Sequence, residues 1–221
     1  ETTDYAIMLI TGGIYEWAQD LRGWGNFMMD LAANPELAGA LLDKLVEISI
    51  KRLKQILPIV KEYQEIIATG DDLGTQNGPQ LSPKLYREAV KPRHKFLYQY
   101  IKKHTNAYLF LHTCGSIYEF IPDFIEMGVD IVNPIQVSAR DMDTRRLKKE
   151  FGKDITFWGG GCDTQRVLPF GTPKEVTEEV KRRIEDLAPD GGFVFTQVHD
   201  IQANTPPENI ITIYNAVDKY G

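Results

Sequence analysis

Short runs of apolar, β-branched and aromatic residues alternate along the chain with long stretches whose apolar positions recur every three or four residues. Tyr5–Ile10, Glu65–Thr69, Tyr108–His112, Asp130–Asn133, Ile155–Trp158 and Phe193–Thr196 read as six strands, each followed by a helical pattern. Helix starts are marked in Asn34-Pro35, Ser82-Pro83 and Thr172-Pro173, where a capping residue precedes a proline at the first helical position. Glu175 is spaced to close a capping box with Thr172, and Ser116 with Glu119 and Thr205 with Glu208 repeat the signal. Gly128 and Gly152 stand where helices end before the next strand. The longest helical stretch, Pro35 to Tyr63, carries Lys44, Lys51, Lys54 and Lys61 on a solvated face.

Strict β-α alternation predicts a parallel sheet with helices outside it, because parallel strands need crossover connections. A doubly wound open sheet and a (β/α)8 barrel both satisfy this. No G-x-G-x-x-G follows the first strand. Polar residues gather instead just beyond the carboxyl ends of several strands: Asp71-Asp72, His112-Thr113-Cys114, Asn133, Asp163-Thr164-Gln165 and His199. That distribution favours a (β/α)8 TIM barrel, whose active site is assembled from many loops at one rim. Such a barrel needs eight strands and typically about 250 residues. Six βα units, with Glu1 in place of an initiator methionine, predict a single barrel domain over 1–221 that lacks its first βα units. Strand edges left open by six units alone predict association with the missing segment or aggregation.

With 43% hydrophobic residues the chain has material for a core of ordinary size. Acidic residues outnumber basic ones 31 to 25, a formal charge of −6, so no basic field invites nucleic acid or anionic lipid. No apolar run reaches the roughly 18 to 20 residues of a membrane span, and the expected location is cytoplasmic. Two cysteines, 114 and 162, are too few for a disulfide framework and are better examined as metal ligands or reactive groups.

His112-Thr113-Cys114 ends an apolar strand, where residues i and i+2 share a face, so imidazole and thiol point the same way. Catalytic zinc takes three such protein ligands and keeps a fourth position for substrate. The third ligand has two candidates, Cys162 after the glycine run Gly159-Gly160-Gly161, and His199. Asp71-Asp72 sets two carboxylates at the rim, as general acid, ligand for a cationic group, metal contact or loop cap. Asp163 and Gln165 are expected at the mouth. His94 and His104, within the helical stretch after Pro83, read as packing or surface residues.

Taken in order, Gly70-Asp71-Asp72-Leu73-Gly74, Leu81-Ser82-Pro83-Lys84-Leu85-Tyr86, His112-Thr113-Cys114-Gly115, Gly159 to Gln165 with Leu168-Pro169-Phe170-Gly171-Thr172-Pro173, and Pro206-Pro207-Glu208-Asn209-Ile210 make the chain resemble the uroporphyrinogen decarboxylase superfamily. The resemblance implies a (β/α)8 barrel and two candidate activities. In the methyltransferase branch a zinc ion activates a thiol, or other members serve a folate acceptor, and the methyl group comes from a methylcobamide on a partner corrinoid protein. That branch has His-x-Cys at its fifth strand, matched by His112 and Cys114. Its thiol-using members place a further cysteine shortly before a Thr-Pro pair, where this chain has His199. True decarboxylases, which need no cofactor, have a histidine there that serves the substrate pocket, so His199 is functional on either reading. Cys162 stands where the family usually has an aliphatic residue.

The decarboxylase pocket tyrosine has no match near Gln19, and its pocket serine falls at Asp72, a poor partner for a polycarboxylate substrate. The expectation is therefore a zinc-dependent methyltransferase with a small-molecule substrate. Its ligands are His112, Cys114 and His199, with Cys162 as the alternative; Asp72 and His199 are catalytic, and Asp71, Asp163 and Gln165 bind substrate. Tetrapyrrole decarboxylation is the alternative activity, and a ligand-binding barrel without catalysis the third reading. Oligomeric state is left open.

Overall fold

The computed structural model describes residues 4–221. Strands β1 (Met8–Ile10), β2 (Ile66–Gly70), β5 (Tyr108–His112), β6 (Ile131–Asn133), β7 (Thr156–Trp158) and β8 (Phe193–Val194) follow one another in that order in a six-stranded sheet. A small hairpin, β3 (Gly74–Thr75) with β4 (Gly78–Pro79), lies between β2 and the next helix. Helices α1 (Ile14–Arg22), α2 (Trp24–Ala33) and α3 (Pro35–Val60) follow β1. Then come α4 (Pro83–Leu85), a π-helical turn (Tyr86–Val90), α5 (Lys91–His104) and α6 (Ile121–Met127). The remainder comprises α7 (Thr144–Phe151), α8 (Val167–Phe170), α9 (Pro173–Leu187) and α10 (Pro207–Tyr220). The α/β rhythm expected from the hydrophobic pattern is thus present, and among the described residues no helix is long and apolar enough to cross a membrane.

Contacts group the chain into two compact units. In the first, β1, β2 and β5 pair in parallel, with Ile67 opposite Leu109 and Gly70 opposite His112. Ile66 to Thr69 are all buried, as befits a parallel strand covered on both faces. In the second, β6, β7 and β8 pair in parallel, with Val132 opposite Phe157 and Trp158 opposite Val194. Here Val176, Val180 and Ile184 of α9, one turn apart, bury their side chains with Leu168, Ile213 and Ala216. The start of α9 is fixed by the expected box: Thr172 Oγ1 accepts from Glu175 N at 3.3 Å, and Glu175 Oε2 accepts from Thr172 N at 2.7 Å.

Several local expectations are corrected. β1, β2, β6 and β7 begin one to three residues later than their apolar runs, while β5 and β8 begin where expected and β8 ends at Val194, two residues early. Backbone pairing nevertheless continues beyond it, from Gly161 N to Thr196 O at 2.8 Å and from Val198 N to Cys162 O at 3.0 Å. Ser116 caps nothing; its N–H donates to Thr75 O and α6 begins only at Ile121, after a 3-10 turn. Pro206, not Thr205, precedes α10, and the buried Thr205 hydroxyl has no hydrogen-bond partner. Asn34 makes no side-chain cap, and Gly152 keeps a right-handed conformation where Gly128 is left-handed.

Candidate metal centre

The in-register ends of β2 and β5 set the first half of the site. Asp71 N donates to His112 O at 2.9 Å and Leu73 N to Thr113 Oγ1 at 3.1 Å, so the two strand exits run side by side. Neighbouring residues of an extended segment point oppositely, and here Asp71 turns inward while Asp72 stays half-exposed. The Asp72 carboxylate lies 3.9 Å from His112 Nε2, beside a ring that is itself half-exposed.

Cys114 is placed by the hairpin and by a chain of amides. Gly74 N donates to Cys114 O at 3.1 Å, Gly115 N to Gln136 Oε1 at 2.7 Å, and Gln136 Nε2 to Gln76 Oε1 at 2.8 Å. Gly115 turns with φ +88°, and a Cβ there would sit 2.4 Å from the Gly74 carbonyl carbon, so the two backbones touch only because neither carries a side chain. His199 follows Val198, whose N–H is held by Cys162 O. Cys114 and His199, both of the second unit, and His112, two residues before Cys114, each offer one ligand atom, and these atoms all lie within 4.8 Å of one another. This is the group of metal-ligating side chains found among the described residues.

Two imidazoles and a thiol are a donor set suited to zinc, whose Zn–N and Zn–S distances of about 2.0 and 2.3 Å put neighbouring tetrahedral ligands about 3.5 Å apart. Donors within 4.8 Å reach that spacing by small rotations of the half-buried His112 and Cys114 and the exposed His199, so the residues fit the ion.

Other expected site residues go elsewhere. Cys162 is fully buried among Leu168, Val176 and Val180, outside the ligand group. Burial first, then Glu179 and Asp163, push its thiol far above the ordinary range, which disfavours the thiolate a metal needs. Asp71 is 1% exposed and its carboxylate is spent within the protein: Oδ1 accepts from Glu16 N at 2.7 Å, and Oδ2 from Ile14 N at 3.0 Å and His94 Nε2 at 2.8 Å. Asp163 is buried and accepts from Gln165 N at 2.8 Å, closing a turn. Gln165 is exposed and accepts from Ser138 Oγ at 3.2 Å. His104 lies on the surface as expected.

Sequence reasoning missed Glu16 and undervalued His94. Glu16, half-buried in the first turn of α1, has its carboxyl pushed up to about 7 by burial, then by Asp72, Asp71 and Asp20, while a hydrogen bond from the Asp72 N–H pulls the other way. His94 is fully buried against Asp71. Its signal was present, since His94, Leu97, Tyr98 and Ile101 form one buried helical stripe of α5.

A methyltransferase from Methanosarcina mazei superposes with a TM-score of 0.76 at 21% identity, covering 99% of this chain and 60% of that one. The likeness establishes the fold, that of the barrel the sequence pattern predicts. Uroporphyrinogen decarboxylase of Geobacter sulfurreducens is 24% identical over 200 residues, which are 90% of this chain and 54% of that protein. The chain thus spans somewhat more than half the length of these relatives. Residues 5–220 match the family model for uroporphyrinogen decarboxylase (URO-D), and the chain belongs to that family.

Proposed function

We propose that this chain carries the zinc site of a methyltransferase that moves a methyl group from a methylcobamide, held by a partner corrinoid protein, to a thiol or folate acceptor. The observation that carries the reading is the convergence of His112, Cys114 and His199. Zinc held there lowers the pKa of the acceptor group and so supplies a nucleophile at neutral pH. His112, Cys114 and His199 would hold the ion with three protein donors, the number that leaves a catalytic zinc open to an acceptor. Asp72, beside His112 Nε2, orients that ring and presents a carboxylate to the acceptor. Exposed Gln165 offers an amide to the substrate, while Asp163 shapes the turn that presents it. Asp71 supports the site from within and does not meet substrate.

The second reading, suggested by the Geobacter sulfurreducens relative, is metal-free decarboxylation of a tetrapyrrole with His199 and Asp72 in its pocket. That reaction leaves the Cys114 thiol and the His112 imidazole beside His199 without a role, which is why we place it second. The test is demethylation of free methylcobalamin by a thiol or folate acceptor, followed by its visible absorbance, with and without zinc. Zinc-dependent turnover lost in a His112→Ala, Cys114→Ser double variant supports the proposal. Equal turnover by the double variant, or chelator-insensitive release of carbon dioxide from uroporphyrinogen, overturns it.

A further inference from the structure

We infer that His94, outside the ligand group and far from it in sequence, is a positioning residue for the metal ligand His112 and acts through Asp71; the inference rests on the zinc reading above.

The His94 ring is locked on every side. It is fully buried and stacks on Tyr98 with centroids 5.3 Å apart and planes 8° from parallel. Tyr98 is pinned in turn by a hydrogen bond from Thr69 Oγ1 at 3.4 Å, on β2 itself. Since a carboxylate only accepts, Nε2 carries the proton in the 2.8 Å bond to Asp71 Oδ2. Nδ1 meets the Tyr86 hydroxyl at 3.2 Å. Tyr86 opens the π-helical turn between α4 and α5, an irregularity that brings residues eight positions apart face to face.

Asp71 passes this rigidity on. One oxygen holds Glu16 N, the other holds Ile14 N together with His94, and its own N–H holds the carbonyl of His112. The backbone from which the His112 ring projects is therefore held by the main-chain N–H of Asp71, the residue whose buried carboxylate has His94 as its one side-chain partner in this set. The next residue, Asp72, stands against the same ring at 3.9 Å. Loss of the His94 bond leaves a buried carboxylate short of a donor, and the strand exit that anchors His112 is the part free to shift in response. Outer partners of metal ligands elsewhere are worth about 10- to 100-fold in metal affinity.

The experiment measures zinc affinity per folded molecule by competition with a chelating dye, for wild type, His94→Leu, His94→Asn and His94→Gln. Leu removes both ring bonds. Asn keeps a polar atom near Tyr86 but falls short of Asp71, and it serves where Leu does not fold. Gln places a donor near the former Nε2. Zinc bound about 10-fold or more weakly by Leu and Asn, with Gln within about 3-fold of wild type, is the expected result. Folded Leu or Asn protein with wild-type affinity overturns the positioning role even if its stability is reduced, because a merely structural residue changes folding and not affinity. A wild-type chain that takes up no zinc overturns instead the metal reading beneath it.

Discussion

Replacing Glu16 by glutamine isolates one titration whose sign and size follow from the structure. The Glu16 carboxyl titrates near 4.5 in the unfolded chain and at about 7 in the folded one, raised by burial and then by the neighbouring carboxylates. Between those values the folded chain binds the extra proton, so stability falls as pH rises from about 4.5 to 7, and the loss is complete above about 7. The whole shift corresponds to about 3.4 kcal/mol. The group is only half-buried, and solvent screening halves the figure to about 1.7 kcal/mol at pH 8 and about 0.4 kcal/mol at pH 5. Glutamine keeps an acceptor for the Asp72 N–H and removes the charge. The metal-free Glu16→Gln variant is therefore expected to unfold at higher urea than wild type, with the gap widening from pH 5 to pH 8 at unchanged m-value. Urea titrations by circular dichroism at several pH values measure it. A gap independent of pH, or one that widens toward acid, would refute the argument that the folded state strains this carboxylate.

Two further changes test local packing. A Cβ on Gly13 would fall 1.7 Å from Gly70 O and 2.2 Å from Asp71 Oδ1, so Gly13→Ala is expected to destabilise by about 3 kcal/mol or more, read as a fall in Tm; a Tm within about 2 °C of wild type contradicts the close approach. Thr205→Val removes a buried hydroxyl without a partner and keeps its shape. It is expected to be neutral or stabilising by about 1 kcal/mol in urea unfolding, and a loss of more than about 1 kcal/mol would mean that the hydroxyl is satisfied in solution.

Tyr108–His112 was legible to the residue because its apolar run is closed on both sides, and Thr172 to Glu175 because a capping box is a purely local device. His112, Cys114 and His199 were legible for a related reason: strand ends of a βα chain share one rim, so polar residues just past them meet. The β3–β4 hairpin was not, since two-residue strands have no periodicity. Nor could Asp71 and Asp72 be told apart, because which carboxylate turns inward depends on the Gly70 to His112 register. Glu16 reads in sequence as an ordinary acid in a first helical turn, and only tertiary structure sets it against two other carboxylates. Cys162 has the chemistry of a ligand, and its burial in an apolar cluster away from the other donors is set by tertiary packing that the glycine run before it does not reveal.

The most direct test of the account is the zinc content of the chain, purified without chelator, by mass spectrometry, for wild type, Cys114→Ser and Cys162→Ser. About one zinc per wild-type chain, retained in Cys162→Ser and lost in Cys114→Ser, is the predicted result. A folded wild type without metal, or zinc that leaves with Cys162 and stays without Cys114, would contradict it.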